Sequence, residues 1–209
     1  MPRRFLPALI AFALGTLSLA SKAAAQGGLL GGGAAQRPIR VVVSGGLTLP
    51  SGDLKELHDT GFHYDASMIF SLAGLPIALR PEISLTTLKS KEGAVPAAGS
   101  TLVSSDDFRT RLLAAVGNIE IPLAGGLYAI AGVGALNSKT TLDESVAGGQ
   151  AVETAGQTAL TFGAGAGFRF HISRIDGFIE GRFGSASYER GKVGYKQAQL
   201  IPLTFGLVF

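Results

Sequence analysis

Strict alternation of apolar and polar residues constrains this chain more than any other feature. Between residues 158 and 171, Leu160, Phe162, Ala164, Ala166, Phe168 and Phe170 fall on one face. Thr161, Gly163, Gly165, Gly167, Arg169 and His171 fall on the other. Successive side chains of a strand point to opposite faces, so a period of two predicts a β-strand with one apolar face. The pattern recurs at 39–49, where Val41, Val43, Leu47 and Leu49 oppose Arg40, Ser44 and Thr48. It recurs at 62–72, with Phe62, Tyr64, Met68 and Phe70 against His63, Asp65 and Ser67. Leu79, Pro81, Ile83 and Leu85 oppose Arg80, Glu82, Ser84 and Thr86, and Ile201, Leu203, Phe205, Leu207 and Phe209 form the apolar face of a final strand. Three less tidy strands are expected at 107–123, 126–140 and 175–188. In the first two hydropathy separates the faces poorly, and a bulge is one way the phase could shift.

About eight strands result, most of them near or above the roughly 9–11 residues that a tilted strand needs to cross a bilayer. Short turns at Gly74-Leu75-Pro76, Ala124-Gly125 and Ser173-Arg174 alternate with longer polar links at 50–61, 89–106, 141–156 and 185–197. An even strand count with short turns on one side and long loops on the other predicts an all-β, antiparallel, up-and-down transmembrane β-barrel over 39–209. Helices are disfavoured by 30 glycines, each costing roughly 1 kcal/mol relative to Ala in a helix interior. Beyond the N-terminus no run approaches the roughly 20 apolar residues of a membrane helix.

The first 25 residues read as a secretory signal peptide. Arg3 and Arg4 supply the positive start, an apolar run follows over 5–20, and small residues at Ala23 and Ala25 form an A-x-A cleavage site. Residues 26–38, QGGLLGGGAAQRP, read as a Gly-rich periplasmic linker. The absence of Cys removes disulfides, thiolate metal sites and a Cys-anchored lipid, and suits export. A net charge of +3 without a Lys/Arg run gives no footing for nucleic acid.

Which face meets lipid follows from volume. The interior of an eight-stranded barrel is just wide enough for its own side chains. Gly, Ser, Thr and a few charges fill that space, whereas Phe on alternate positions of many strands belongs outside. Closure also pairs every backbone N–H and C=O, as hydrocarbon requires. A soluble, lipocalin-like barrel with the faces reversed is the alternative. Phe62 and Tyr64 mark one expected interface and Phe170 and Phe209 the other, with no Trp to thicken the girdle.

Strand phase puts Arg40, Arg80, Glu82, Glu120, Arg169, Glu180 and Arg182 inside, toward the short-turn end. Isolated charges there would be costly, so a paired, hydrogen-bonded network is expected, serving as a plug rather than as an ion path.

No catalytic, cofactor or metal site is expected. His171 and Ser173 resemble a hydroxyl–imidazole pair found in an outer-membrane lipid A deacylase with a similar barrel, but they lie at the wrong end for the outer leaflet and lack an assembled constellation. His58 and His63, flanking Asp59 and Asp65, read as exposed loop residues rather than metal ligands. Gly163, Gly165 and Gly167 have no following helix and so form no dinucleotide loop. Lys89, Lys91, Glu92, Asp106 and Asp107 mark a solvated loop whose two lysines could meet lipopolysaccharide phosphates.

The final strand, ending in Phe205-Gly206-Leu207-Val208-Phe209, resembles the signal read by the outer-membrane barrel-assembly machinery, with Thr204 where that signal often has Gly. The segment GGLTLPSGDLKELHDTGFHYDASMIFSL resembles the outer-membrane β-barrel-domain family, which includes OmpA-type and OmpX-like small barrels. The resemblance covers nearly the whole mature chain. It implies an eight-stranded barrel in the bacterial outer membrane, with both barrel ends periplasmic and four loops outside. It implies contact with membrane lipid and lipopolysaccharide and a monomer, whereas the peptidoglycan-binding domain that follows the barrel in full-length OmpA-type proteins is expected to be absent. Fold does not fix function. Three readings follow: a non-enzymatic barrel acting through its loops in envelope structure or surface interaction; a narrow porin-like channel or carrier of small hydrophobic molecules; and, last, a lipid-modifying enzyme.

Overall fold

The computed structural model describes residues 39–91, 108–142, 156–172, 175–188 and 196–209. The signal and linker segments, with Ala23 and Ala25, lie outside the described residues, as do Ser173, Arg174, Glu92, Asp106 and Asp107. Eight strands run in chain order: β1 (Ile39–Ser51), β2 (Gly61–Ser71), β3 (Ala78–Lys89), β4 (Phe108–Pro122), β5 (Leu127–Leu142), β6 (Gln157–Ile172), β7 (Ile175–Ser187) and β8 (Gln197–Val208). Each pairs with its sequence neighbours, and β8 returns to β1 to close an antiparallel barrel. The seam continues past the last strand residue, because the Phe209 backbone exchanges both hydrogen bonds with Val41.

The turn end of the barrel is tight. Gly125 and Gly126 (φ +69° and +86°) make the β4–β5 reversal in the left-handed region that favours glycine. At the loop end, among the described residues, the β1–β2 connection folds locally. Residues Asp53–Leu57 form a single helical turn, α1, which lays Leu54, fully buried, over the mouth.

Phase is as the alternation requires. Val43, Leu47, Phe62, Tyr64, Leu79, Leu85, Leu160, Phe162, Phe168, Leu203 and Phe205 all stand on the outer wall. The strands that resist assignment from sequence contain no bulge: the β4–β5 register runs unbroken from Phe108↔Leu142 to Pro122↔Tyr128. Their faces look alike for a different reason. Leu112, Ala114, Ile130 and Leu136 point inward, while Leu113, Ala115, Ala131 and Ala135 point outward. Both faces are apolar, so hydropathy has nothing to alternate.

The interior is therefore not polar throughout. At the loop end Leu54, Leu88, Leu112, Leu136 and Tyr188 form an apolar cluster with small alanines. Toward the turn end Val42, Ile69, Tyr128, Ile130, Phe178 and Val208 form another, laced with charges. The inward glycines of β6 make room for the large rings: a Cβ at Gly167 would collide with Tyr128. On the outer wall, Gly177 lets Phe170 lie across β7 toward Phe205, at 6.4 Å between ring centres, and Phe168 stacks on Phe170 at 6.3 Å. An aromatic strip thus marks the turn-end interface, where such rings prefer to sit.

Candidate functional site

The functional chemistry of the described residues is concentrated in the lumen, in three levels. At the turn end, β3, β4, β6 and β7 each aim charged residues inward at alternate positions. Arg80 Nη1 donates to Glu180 Oε2 at 2.9 Å. Arg182 holds Glu82 bidentately at 2.8 and 2.9 Å and also donates through Nε to Glu180. Arg169 donates to Glu120 at 2.8 Å. Looser charge contacts, Arg80–Glu82 at 3.5 Å and Arg80–Glu120 at 3.8 Å, join these pairs into one lattice of three guanidiniums and three carboxylates. The Tyr128 hydroxyl donates to Glu180 at 2.7 Å, and Arg80 also donates to Ser67. Two guanidiniums lie over aromatic faces, Arg80 on Phe178 at 5.0 Å and Arg169 on Tyr128 at 5.1 Å. Arg80 and Glu120 are each only 1% exposed, so nearly all their compensation comes from these partners rather than from bulk water.

Six of the seven charged residues marked out in the sequence meet in this lattice. The seventh, Arg40, does not: it lies near the start of β1 and forms no ion pair with the described residues. It is half-buried on the inward face and feels the charges of Arg169 and Glu120, without a hydrogen bond to either.

The middle level is polar and uncharged apart from Asp65. Both histidines read from sequence as exposed loop residues are buried. His63 shares hydrogen bonds of 2.9 Å with the Thr48 and Thr204 hydroxyls, one at each ring nitrogen, and lies 3.4 Å from Asp65. A cavity of about 110 Å3 sits beside it, lined by Thr48, His63, Glu82, Asn118, Arg182 and Thr204 among others.

The top level is the lid. His58, at the end of α1, packs inward, and its Nε2 shares a 2.8 Å hydrogen bond with Thr110. Its backbone bridges Ser90, Asp59 N–H donates to Lys89, and Lys91 N–H donates to Leu57. Burial holds the His58 imidazole down to a pKa of about 4 against an ordinary 6.5, so it is neutral at physiological pH. Nothing in the polar-looking run from Gly52 to Thr60 advertises this lid except Leu54 and Leu57, three apart among charges.

Among the described residues no group of His, Asp and Glu could hold a metal ion. His171 lies at the turn end, exposed and paired with Asp176 at 2.6 Å, while Ser173 lies outside the described residues. Phe205 and Phe209 face outward on the final strand and its end, and Leu207 shares their face half-buried.

No protein-family model matches this sequence, and no curated protein matches it. Among solved structures, the barrel aligns with Ail, the attachment invasion locus protein of Yersinia pestis, in complex with the heparin analogue sucrose octasulfate. That alignment has a TM-score of 0.56 and 14% identity, and covers 82% of this chain and 99% of that one. Neisserial surface protein A aligns with a TM-score of 0.52 and 14% identity, over 82% of this chain and 96% of that one. At such identity the likeness is one of fold: this chain is a closed eight-stranded antiparallel barrel that matches small transmembrane barrels in fold.

Proposed function

We infer that this chain is a non-enzymatic barrel of the bacterial outer membrane, with a plugged lumen and loops that act at the cell surface in envelope structure or interaction. The occupied interior carries this reading. An ionic lattice fills the turn end, and Leu54 on α1 caps an apolar cluster at the loop end. A chain used for conduction gains nothing from an Arg–Glu lattice across its lumen. A rigid scaffold that presents loops gains a fixed strand register.

Export through a signal peptide cleaved after Ala25, assembly through Phe205, Leu207 and Phe209, a monomeric state and periplasmic placement of both barrel ends complete the proposal. Cell fractionation with surface labelling tests it. The chain should be recovered from the outer membrane with Gln26 as its first residue, and an epitope inserted in 143–156 should be reached by antibody on intact cells. Recovery as a soluble periplasmic protein would overturn the reading, and an epitope reached only after outer-membrane rupture would reverse its orientation.

A further inference from the structure

The outer wall is apolar around most of its circumference but not at the loop end of β3, β4 and β5. There Lys89, Arg109, Arg111 and Lys139 all point outward and are exposed. Register sets them face to face: Lys89 pairs with Arg109, and Arg111 with Lys139. Neighbouring strands are about 4.8 Å apart and alternate residues along a strand about 6.7 Å, so four cations share one small patch. Like charges directly opposite each other destabilise a sheet. Among the described residues, Lys89, Arg109 and Arg111 have no carboxylate partner. The outward residues at the loop end of the other strands are Ser51, Phe62, Thr158, Ser187 and Gln197, all uncharged.

Height along the wall is equally informative. Below Arg111 the outward residues of β4 are Leu113, Ala115, Gly117, Ile119 and Ile121. Nine residues of a strand tilted at about 40° rise roughly 23 Å, close to the roughly 25 Å apolar band of such barrels. The cations therefore stand where hydrocarbon gives way to headgroups, with half-buried Leu113 directly beneath Arg111 and exposed Leu85 beside it.

We propose that this patch binds the phosphate groups of a phosphorylated lipid in the leaflet at the loop end, its acyl chains lying on the apolar wall below. Guanidiniums suit phosphate because they donate two parallel hydrogen bonds to it. A free anion would use the charges but not the adjoining apolar wall, and a neutral lipid the wall but not the charges. The proposal rests on the membrane placement inferred above.

The test is lipid retention by the folded barrel, released for native mass spectrometry from nanodiscs of phosphatidylcholine doped with bis-phosphorylated lipid A. Each basic side chain near an anionic surface contributes about a fivefold factor. Replacing Arg109→Gln and Arg111→Gln together should weaken retention about twenty-five-fold, and adding Lys89→Gln and Lys139→Gln should weaken it further. Lys55→Gln, the loss of one positive charge on the exposed face of α1, should change nothing. Equal retention by the native chain and the four-site variant would overturn the proposal. Equal retention of dephosphorylated lipid A would overturn it in favour of the apolar wall alone. Displacement by inorganic phosphate as effective as by lipid A would overturn it in favour of a free anion. Heat-modifiable migration separates these results from a failure of the underlying reading: a chain that never folds into the nanodisc contradicts the membrane placement and the patch with it.

Discussion

The two ends of the lumen solve the same problem by opposite chemistry. At the turn end the space is filled by three arginines and three glutamates in one ionic lattice, closed with Tyr128 and Phe178. At the loop end it is filled by Leu54, Leu88, Leu112 and Leu136, with one buried imidazole tying the lid down. The ionic end is built from continuous strands, so loosening it requires breaking the barrel. The apolar end depends on a five-residue helix outside the ladder, so it can open by itself. Stability and local motion should therefore separate along the barrel axis.

The largest effect is expected from breaking the ionic end. Arg182→Met leaves Glu82 without its bidentate partner and Glu180 with one guanidinium fewer, at about 3–5 kcal/mol of global stability. Urea unfolding in vesicles reads this, and an unchanged midpoint would show that water, not the lattice, solvates those carboxylates. At the other end Leu54→Ala should weaken lid closure by about 3 kcal/mol, as large-to-small changes at buried sites do. Hydrogen exchange at 53–58 should rise about a hundredfold while the global midpoint stays put; a shift of both together would mean the ends are not separable.

Acid should loosen the lid. His58 has a pKa of about 4 when buried and about 6.5 once the lid opens, so the open form binds more protons between those values. Closure is at full strength above pH 6.5 and weakens as pH falls toward 4, by about 2 kcal/mol at pH 5. Exchange protection at 53–58, corrected for intrinsic rates, should fall accordingly, and His58→Asn should flatten that dependence. The smallest effect belongs to the middle level: Thr204→Val deprives His63 of one partner and should cost about 1–2 kcal/mol. No change there would indicate that the adjoining cavity supplies water in place of the hydroxyl.

The same contrast decides how much could be read from sequence. β3 and β6 were legible because Arg80, Glu82 and Arg169 oppose Leu and Phe, making the period-two signal large. β4 and β5 were not, because their inward residues near the loop end are as apolar as those facing lipid. The lattice followed from parity, which places a charge inside once the strand's phase is known, but parity fixes the face and not the pairing, and Arg40 makes no close ion pair among the described residues. The lid was hidden because one helical turn leaves only the Leu54–Leu57 spacing as a trace among Asp53, Lys55 and Glu56. His58 looked like loop surface because its burial depends on Thr110, fifty-two residues away.

Whether the lumen is full is the question on which both ends converge. Single-channel recording of the refolded mature chain in a planar bilayer, with heat-modifiable migration to verify folding, answers it directly. The folded barrel should give no steady conductance steps, because the lattice and the lid each close the path. Steady, reproducible channels from a folded barrel would contradict the plug and make Glu180 and Arg182 residues of a pore.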